Sequence, residues 1–217
     1  MLIAHASDLH GTYKVLETVT GHDLWVLTGD MLPTFGRGRT GRIGPELEIR
    51  HQAAWWKHKD ASIMRRLGGK PVVVVNGNHD FLNLAELLKK SGYQGEVFDI
   101  SKGPANFGGQ VFAGDRAIPY LDGEWMGETH IFRDIVEGIF TSDPTILVTH
   151  APPSGILDEG EYGHGHGISE LTTALTYRSH HITHHFFGHV HEQGGKRLSA
   201  MGVTFVNSAT CIQMVDV

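Results

Sequence analysis

Thiols are nearly absent from this chain: of its 217 residues only Cys211 is a cysteine. An intramolecular disulfide is excluded, and so is a structural zinc site built on several thiolates. No run approaches the roughly 18 consecutive apolar residues that a membrane helix needs. Basic charge is also short, with 18 Lys+Arg against 24 Asp+Glu and a formal net charge of −6. No global positive field marks a nucleic-acid binder. An acidic balance still tolerates a phosphorylated substrate, because bound cations reverse the sign of a site locally. The chain enters an apparent strand at Leu2 without the basic stretch and cleavage site of an export signal. With the single cysteine, this predicts a cytoplasmic protein with no membrane partner.

What is present reads as ordinary globular protein: 40% hydrophobic and 19% charged residues. The length predicts one domain spanning residues 1–217, large enough to bury a core. Histidine is the exception, with 16 copies. The paired tracts His180-His181 and His184-His185 are expected to be solvated. The informative histidines are those that fall where strands end.

Short apolar runs at 2–6, 24–28, 72–76 and 145–149 are bounded by Gly, Pro, Asp or Asn and predict strands buried on both faces. Between them lie helical candidates at 12–19, 46–67, 82–90 and 130–140. In the second, Ala53, Trp56, Ile63 and Leu67 form one apolar stripe, so Trp55 and Trp56 are read as packing. Residues 184–187, 196–200, 203–207 and 212–216 read as consecutive strands with short links. The expectation is βαβ units followed by an antiparallel part. Two Gly-rich loops, 34–45 and 154–168, are long enough to be functional.

Five segments that follow predicted strands carry ligand-type side chains: Asp8-Leu9-His10, Gly29-Asp30, Gly77-Asn78-His79-Asp80, Thr149-His150 and Gly188-His189-Val190-His191. Any one of them is compatible with a turn and a satisfied histidine. Five strand ends offering carboxylate, carboxamide and imidazole are not. Alternation would put residues i and i+2 of Asp8/His10 and His189/His191 on one side of an extended segment. Mixed imidazole and carboxylate donors suit Zn, Fe, Mn, Co or Ni. Asp8, His10, Asp30, Asn78, His150, His189 and His191 are too many for one ion, and fit two that share a carboxylate.

In order and type these segments resemble the motif series of the calcineurin-like metallophosphoesterases: D-x-H, G-D, G-N-H-(D/E), a lone H and G-H-x-H. The series runs from residue 8 to residue 191. Within the family the chain is similar to small single-domain phosphodiesterases, through Thr149–Pro153 with Gly155–Asp158 after it. Gly188–Glu192, Gly194-Gly195 and Val206–Ser208 carry the same likeness.

The resemblance implies a four-layer α/β/β/α sandwich with mixed sheets. It implies Asp8, His10 and His191 on one divalent metal, Asn78, His150 and His189 on another, and Asp30 bridging. It implies His79 beside the phosphate as proton donor to the leaving oxygen. Two cations (Mn, Fe, Zn or Ni) would acidify a bridging water, whose hydroxide attacks phosphorus in line. The expected substrate is a small or nucleotide-type phosphodiester. The chain departs from the protein-phosphatase branch after Asp30, where Met31-Leu32-Pro33-Thr34 offers no acidic partner for His79. Asp80 is expected to point away from His79.

Arg37, Arg39 and Arg42 either grip a second phosphate or a nucleic-acid backbone, or belong to a solvated loop. His164 and His166 either line the substrate pocket or are solvated. Phe35, Tyr120 and Trp125 could stack on a base, and Asn207 is expected beside the ligands or in a turn. The alternatives to a phosphodiesterase are a nuclease or nucleic-acid end-processing phosphatase, and a scaffold without metals. The scaffold should lack ligands, yet all seven are present with His79. The oligomeric state is not legible.

Overall fold

A computed structural model describes residues 1–35, 37–38, 41–42, 44–119 and 129–217, with 37–38, 41–42 and 129–131 described by backbone alone. Its two sheets arise from the buried apolar runs. Strands β1 (Leu2–Ala6), β2 (Leu24–Thr28) and β5 (Val72–Val75) pair in parallel, flanked by parallel β6 (Val97–Asp99) and antiparallel β13 (Ile212–Asp216). The second sheet has the order β11 (Arg197–Ala200), β12 (Val203–Asn207), β10 (His184–Phe187), β9 (Ile146–Val148), β8 (Gln110–Ala113), β7 (Ala105–Phe107). A small hairpin, β3 (Arg37–Gly38) with β4 (Gly41–Arg42), stands apart.

Side-chain alternation along the strands creates three cores. Ile3, Val26, Val73 and Val75 face Ile146, Val148, Phe186 and Val206 between the sheets. Ala4, Trp25, Leu27 and Val74 face outward onto helices α1 (Pro45–Leu67) and α2 (Leu84–Lys90). On the far side, Leu147, Phe187 and Phe205 face α3 (Thr129–Thr141) and α4 (Ser169–Tyr177). The layers are therefore helix, sheet, sheet, helix, as expected.

Local chemistry sets the helix ends. Helix α1 begins with Pro45, carries Glu46 and Glu48 in its first turn and Arg65 and Arg66 in its last, and stops at Gly68 with φ 67°. The Asn83 side chain caps α2 by accepting from Glu86 N at 2.9 Å.

Several expectations change. Residues 12–19 form only a short 3₁₀ segment, Tyr13–Thr18. The antiparallel part is present in β11–β12 and β13–β1, but the four C-terminal strands do not all pair in chain order. Strand β10 pairs in parallel with both β9 and β12, and β13 crosses to the first sheet. His185 is fully buried, not solvated, and His184 is half-buried. Among the described residues no helix is long and apolar enough to cross a membrane.

Candidate metal centre

Parallel strands from both sheets deliver their C-terminal ends to one place, where open α/β folds gather functional groups. The loops that leave them are stitched by backbone bonds: Asp8 N to Gly29 O at 2.9 Å, His10 N to Asp30 O at 2.9 Å, and Gly188 N to His150 O at 3.0 Å. Alternation is not what pairs the D-x-H residues. Asp8, His10, Asp30 and His189 have φ of 54°, 42°, 52° and 69°, so left-handed turns aim these side chains. Such backbone costs on the order of 1–3 kcal/mol per residue and collects at functional sites.

The turns bring the donors together. Asp8, His10 and His191 form one group able to hold a cation, and Asp8, Asp30 and His150 form a second that shares Asp8. The His79 backbone N–H donates to Asp30 Oδ1 at 2.7 Å. The other oxygen, Asp30 Oδ2, lies 4.0 Å from His10 Nε2 and 3.6 Å from His150 Nε2, within reach of one ring from each group. His189 N donates to Asp8 Oδ2 at 2.9 Å, and His191 Nε2 meets Asp8 Oδ1 at 3.2 Å. His150 Nδ1 donates to the Thr28 carbonyl at 2.7 Å. In the neutral ring Nε2 then offers a lone pair, and it faces Asn78 Oδ1 at 3.0 Å.

This crowding requires glycine. A Cβ on Gly29, where φ is 96°, would lie 2.5 Å from His150 Nδ1. One on Gly188 would lie 2.0 Å from Ser7 Oγ and 2.2 Å from Asp8 Oδ2. Gly188→Ala should therefore lower stability by about 1–3 kcal/mol and weaken metal uptake by displacing Asp8. Urea midpoints and bound-metal content check this, and unchanged values for both would refute the close-packing account.

The electrostatics suit a cation. Burial opposes the charge on Asp8, but the His191 hydrogen bond and the field of His150 hold its carboxyl below the usual range. Burial and the neighbouring charges of Asp8 and Asp80 push Asp30 well up. Burial, then His150, drives His189 well down. His189 Nε2 is buried with no hydrogen-bond partner among the described residues, a cost of about 1–3 kcal/mol that a metal bond would offset. Carboxylate oxygens and imidazole nitrogens converging on one place, with no thiolate, fit divalent ions.

His79 sits at the rim, its ring 5.6 Å from that of His10. Its segment is fixed by Gln52, a fully buried side chain that donates to His79 O at 2.7 Å and Pro33 O at 3.2 Å. Gln52 also accepts from Leu82 N at 3.2 Å. The sequence signal was a polar residue four positions before Trp56, on the buried stripe of α1. Asp80 braces the same loop, accepting from Leu32 N at 2.8 Å and Gly77 N at 3.0 Å, and burial pushes its carboxyl up to about 6.

The 154–168 loop is an ordered arm. His166 N donates to Asp158 O and Gly160 N to His164 O, each at 2.9 Å. Gln193 Nε2 ties the arm to the His191 turn through Glu159 O at 2.6 Å. The arm sets the His166 ring 6.3 Å from His189. His164 is exposed, and no described contact brings its ring to the cluster. Asn207 donates to Val190 O at 3.2 Å, bracing the histidine loop from behind. Phe35 is exposed and rests 4.6 Å from His51. Arg37 and Arg42 face each other across the β3–β4 hairpin backbone, while Arg39, Tyr120 and Trp125 lie outside the described residues.

The sequence profile of the calcineurin-like phosphoesterases matches residues 1–193. A UPF0046 protein of Caenorhabditis elegans is 41% identical over 168 residues, which cover 68% of this chain and 54% of that protein. The chain spans about half the length of this relative.

Proposed function

Since the chain belongs to the calcineurin-like phosphoesterase family, we propose that it hydrolyses a small or nucleotide-type phosphodiester with two divalent cations. The carrying observation is that Asp30 Oδ2 lies within 4.0 Å of both His10 and His150, while Oδ1 is held by the His79 amide. That placement suits a bridging carboxylate. Asp8, His10 and His191 then serve one ion, and Asn78, His150 and His189 the other. Divalent cations, when bound, supply an acidified water and screen charge on the phosphoryl oxygens; Mn, Fe, Zn and Ni all suit these donors.

The chain's own groups prepare the rest. The Thr28 carbonyl fixes the His150 tautomer, so Nε2 points inward. Gln52 holds the His79 segment, so the imidazole stands over the rim. From there His79 gives a proton to the departing oxygen. No cysteine or serine nucleophile is needed. One domain over residues 1–217 and a cytoplasmic setting belong to the same proposal.

The test is bound metal together with turnover of bis-p-nitrophenyl phosphate, p-nitrophenyl phosphate, 2′,3′- and 3′,5′-cyclic nucleotides, and single-stranded DNA and RNA. Diester hydrolysis exceeding monoester hydrolysis is expected. His79→Ala should slow turnover about 100-fold with metal content intact. No hydrolysis with Mn, Zn, Ni or Fe supplied would sink the proposal in favour of a scaffold. Activity on DNA or RNA that falls steeply with salt would favour the nuclease reading.

A further inference from the structure

Between the Tyr13–Thr18 segment and α1 runs a cavity of about 330 Å³ that none of the predicted ligands lines. Its floor is aromatic and apolar: Tyr13 is buried, Trp55 is half-buried, and their rings lie 6.0 Å apart. Its rim is cationic, with Lys14 on one wall and Lys59 and Arg66 on the other. Arg66 is paired with Glu17 at 2.7 Å. Lys14 and Lys59 are exposed and have no acidic partner among the described residues. In a chain of net charge −6 this is a local reversal of sign. A cavity of about 310 Å³ between α3 and α4 also carries arginines, but there Arg178 is spent on Glu137.

Position links this groove to the metal centre. Its inner end is Gly11, the residue directly after His10, about 3.8 Å away by Cα. A Cβ on Gly11 would come within 3.2 Å of the Trp55 ring, so the indole lies against the turn that carries His10. The groove that begins at this turn therefore offers an aromatic surface and two unspent cations. Aromatic faces stack on bases with little sequence demand, and lysines take phosphate as point charges.

We propose that this groove holds the nucleoside and outer phosphate of a substrate whose scissile phosphate lies at the metal centre. The inference rests on the phosphodiesterase reading and narrows its substrate to a nucleotide with a second phosphate. Trp55 stacks on the base, and Lys14 and Lys59 take the outer phosphate. Specificity then comes from α1 and the Tyr13–Thr18 segment, and the metals supply the chemistry.

Binding is tested apart from catalysis by titrating the protein in EDTA with adenosine 3′,5′-bisphosphate and following tryptophan fluorescence and heat. Saturable binding with quenching is expected, and Lys14→Glu with Lys59→Glu should raise Kd at least about tenfold. Trp55→Phe should remove the quenching, and pyrophosphate should bind about tenfold more weakly, since stacking contributes about 1–3 kcal/mol per base. With metal restored, bis-p-nitrophenyl phosphate, a simple diester without an outer phosphate, reports on the metal centre apart from the groove. Absence of binding, or binding indifferent to both lysines, overturns the groove assignment while hydrolysis of the simple diester still upholds the phosphodiesterase. Lysine-dependent binding with no hydrolysis of any ester upholds the groove and removes the phosphodiesterase.

Discussion

Asp30→Asn is expected to lower kcat/KM by roughly 10⁴-fold, because it weakens two electrostatic interactions at once and each such interaction is typically worth about 10²–10³. Its Oδ2 lies within 4.0 Å of both His10 and His150, so under the two-cation proposal a neutral amide there disturbs both sites. The same substitution should behave differently in the metal-free protein. There, burial together with Asp8 and Asp80 already disfavours the Asp30 charge. Asparagine keeps an oxygen to accept from the His79 amide, now at 2.7 Å, and removes the repulsion. In EDTA the variant should therefore match or exceed the wild type in Tm. Added Mn or Zn should stabilise the wild type strongly and the variant little, as expected when a ligand binds only the native state. The decisive pair of measurements is Tm with and without metal, beside kcat/KM. A variant that binds two metals and keeps full turnover would refute the bridging role. One that unfolds equally with and without metal would make Asp30 a structural residue.

Much of this site was legible because its residue types are rare and its punctuation strong. Five ligand-bearing segments follow apolar runs, and the four-valine strand 72–75 could only be a buried one. The aim of the side chains was not legible. Asp8 and His10 converge through left-handed turns, a property of the folded loop that i, i+2 spacing does not encode. Gln52 was missed for a related reason. A helix period tells which face is buried, not whether a buried polar group there has partners. Its partners, Pro33, His79 and Leu82, come from two other loops.

The C-terminal strands show the same boundary between local and distant information. Strand β12 is a strand by composition, with Val203, Phe205 and Val206 buried. Its parallel pairing with β10 and the crossing of β13 to β1 depend on which faces need covering. The reading of His185 as solvated failed on that point. Once β10 runs between β9 and β12, His185 on the face of Phe187 must point into the helix-side core.

That buried histidine carries the second large expectation, the loss in acid of the stability it contributes. Thr149 Oγ1 lies 2.6 Å from the Ala151 carbonyl, to which its hydroxyl must donate, so the His185 Nε2–H donates to Thr149 Oγ1 at 2.7 Å. His185 Nδ1 is then a bare lone pair, buried with no partner among the described residues. A proton placed there would meet no acceptor, and burial lowers the His185 pKa to about 3. His5 is fully buried between the sheets, where burial outweighs the opposing field of Asp8 and also brings its pKa to about 3. Both rings are thus neutral in the fold, while in the unfolded chain they protonate near the ordinary value of about 6.5. Between those limits the unfolded state binds more protons at these two rings, so their contribution to stability rises with pH and is lost as pH falls from 6.5 towards 3, while the raised carboxyls of Asp30 and Asp80 act in the opposite sense. Each group contributes about 1.4 kcal/mol per pH unit, or about 2 kcal/mol each at pH 5, against a total of about 5–15 kcal/mol for a typical domain. Urea unfolding in EDTA at pH 4, 5, 6 and 7 measures the slope without metal linkage. His185→Gln keeps a donor near the Nε2 position and removes one titration, so its slope should be shallower by about 1.4 kcal/mol per pH unit. Parallel profiles for the two proteins would mean that His185 takes up its proton in the folded state, and the neutral buried ring would be wrong.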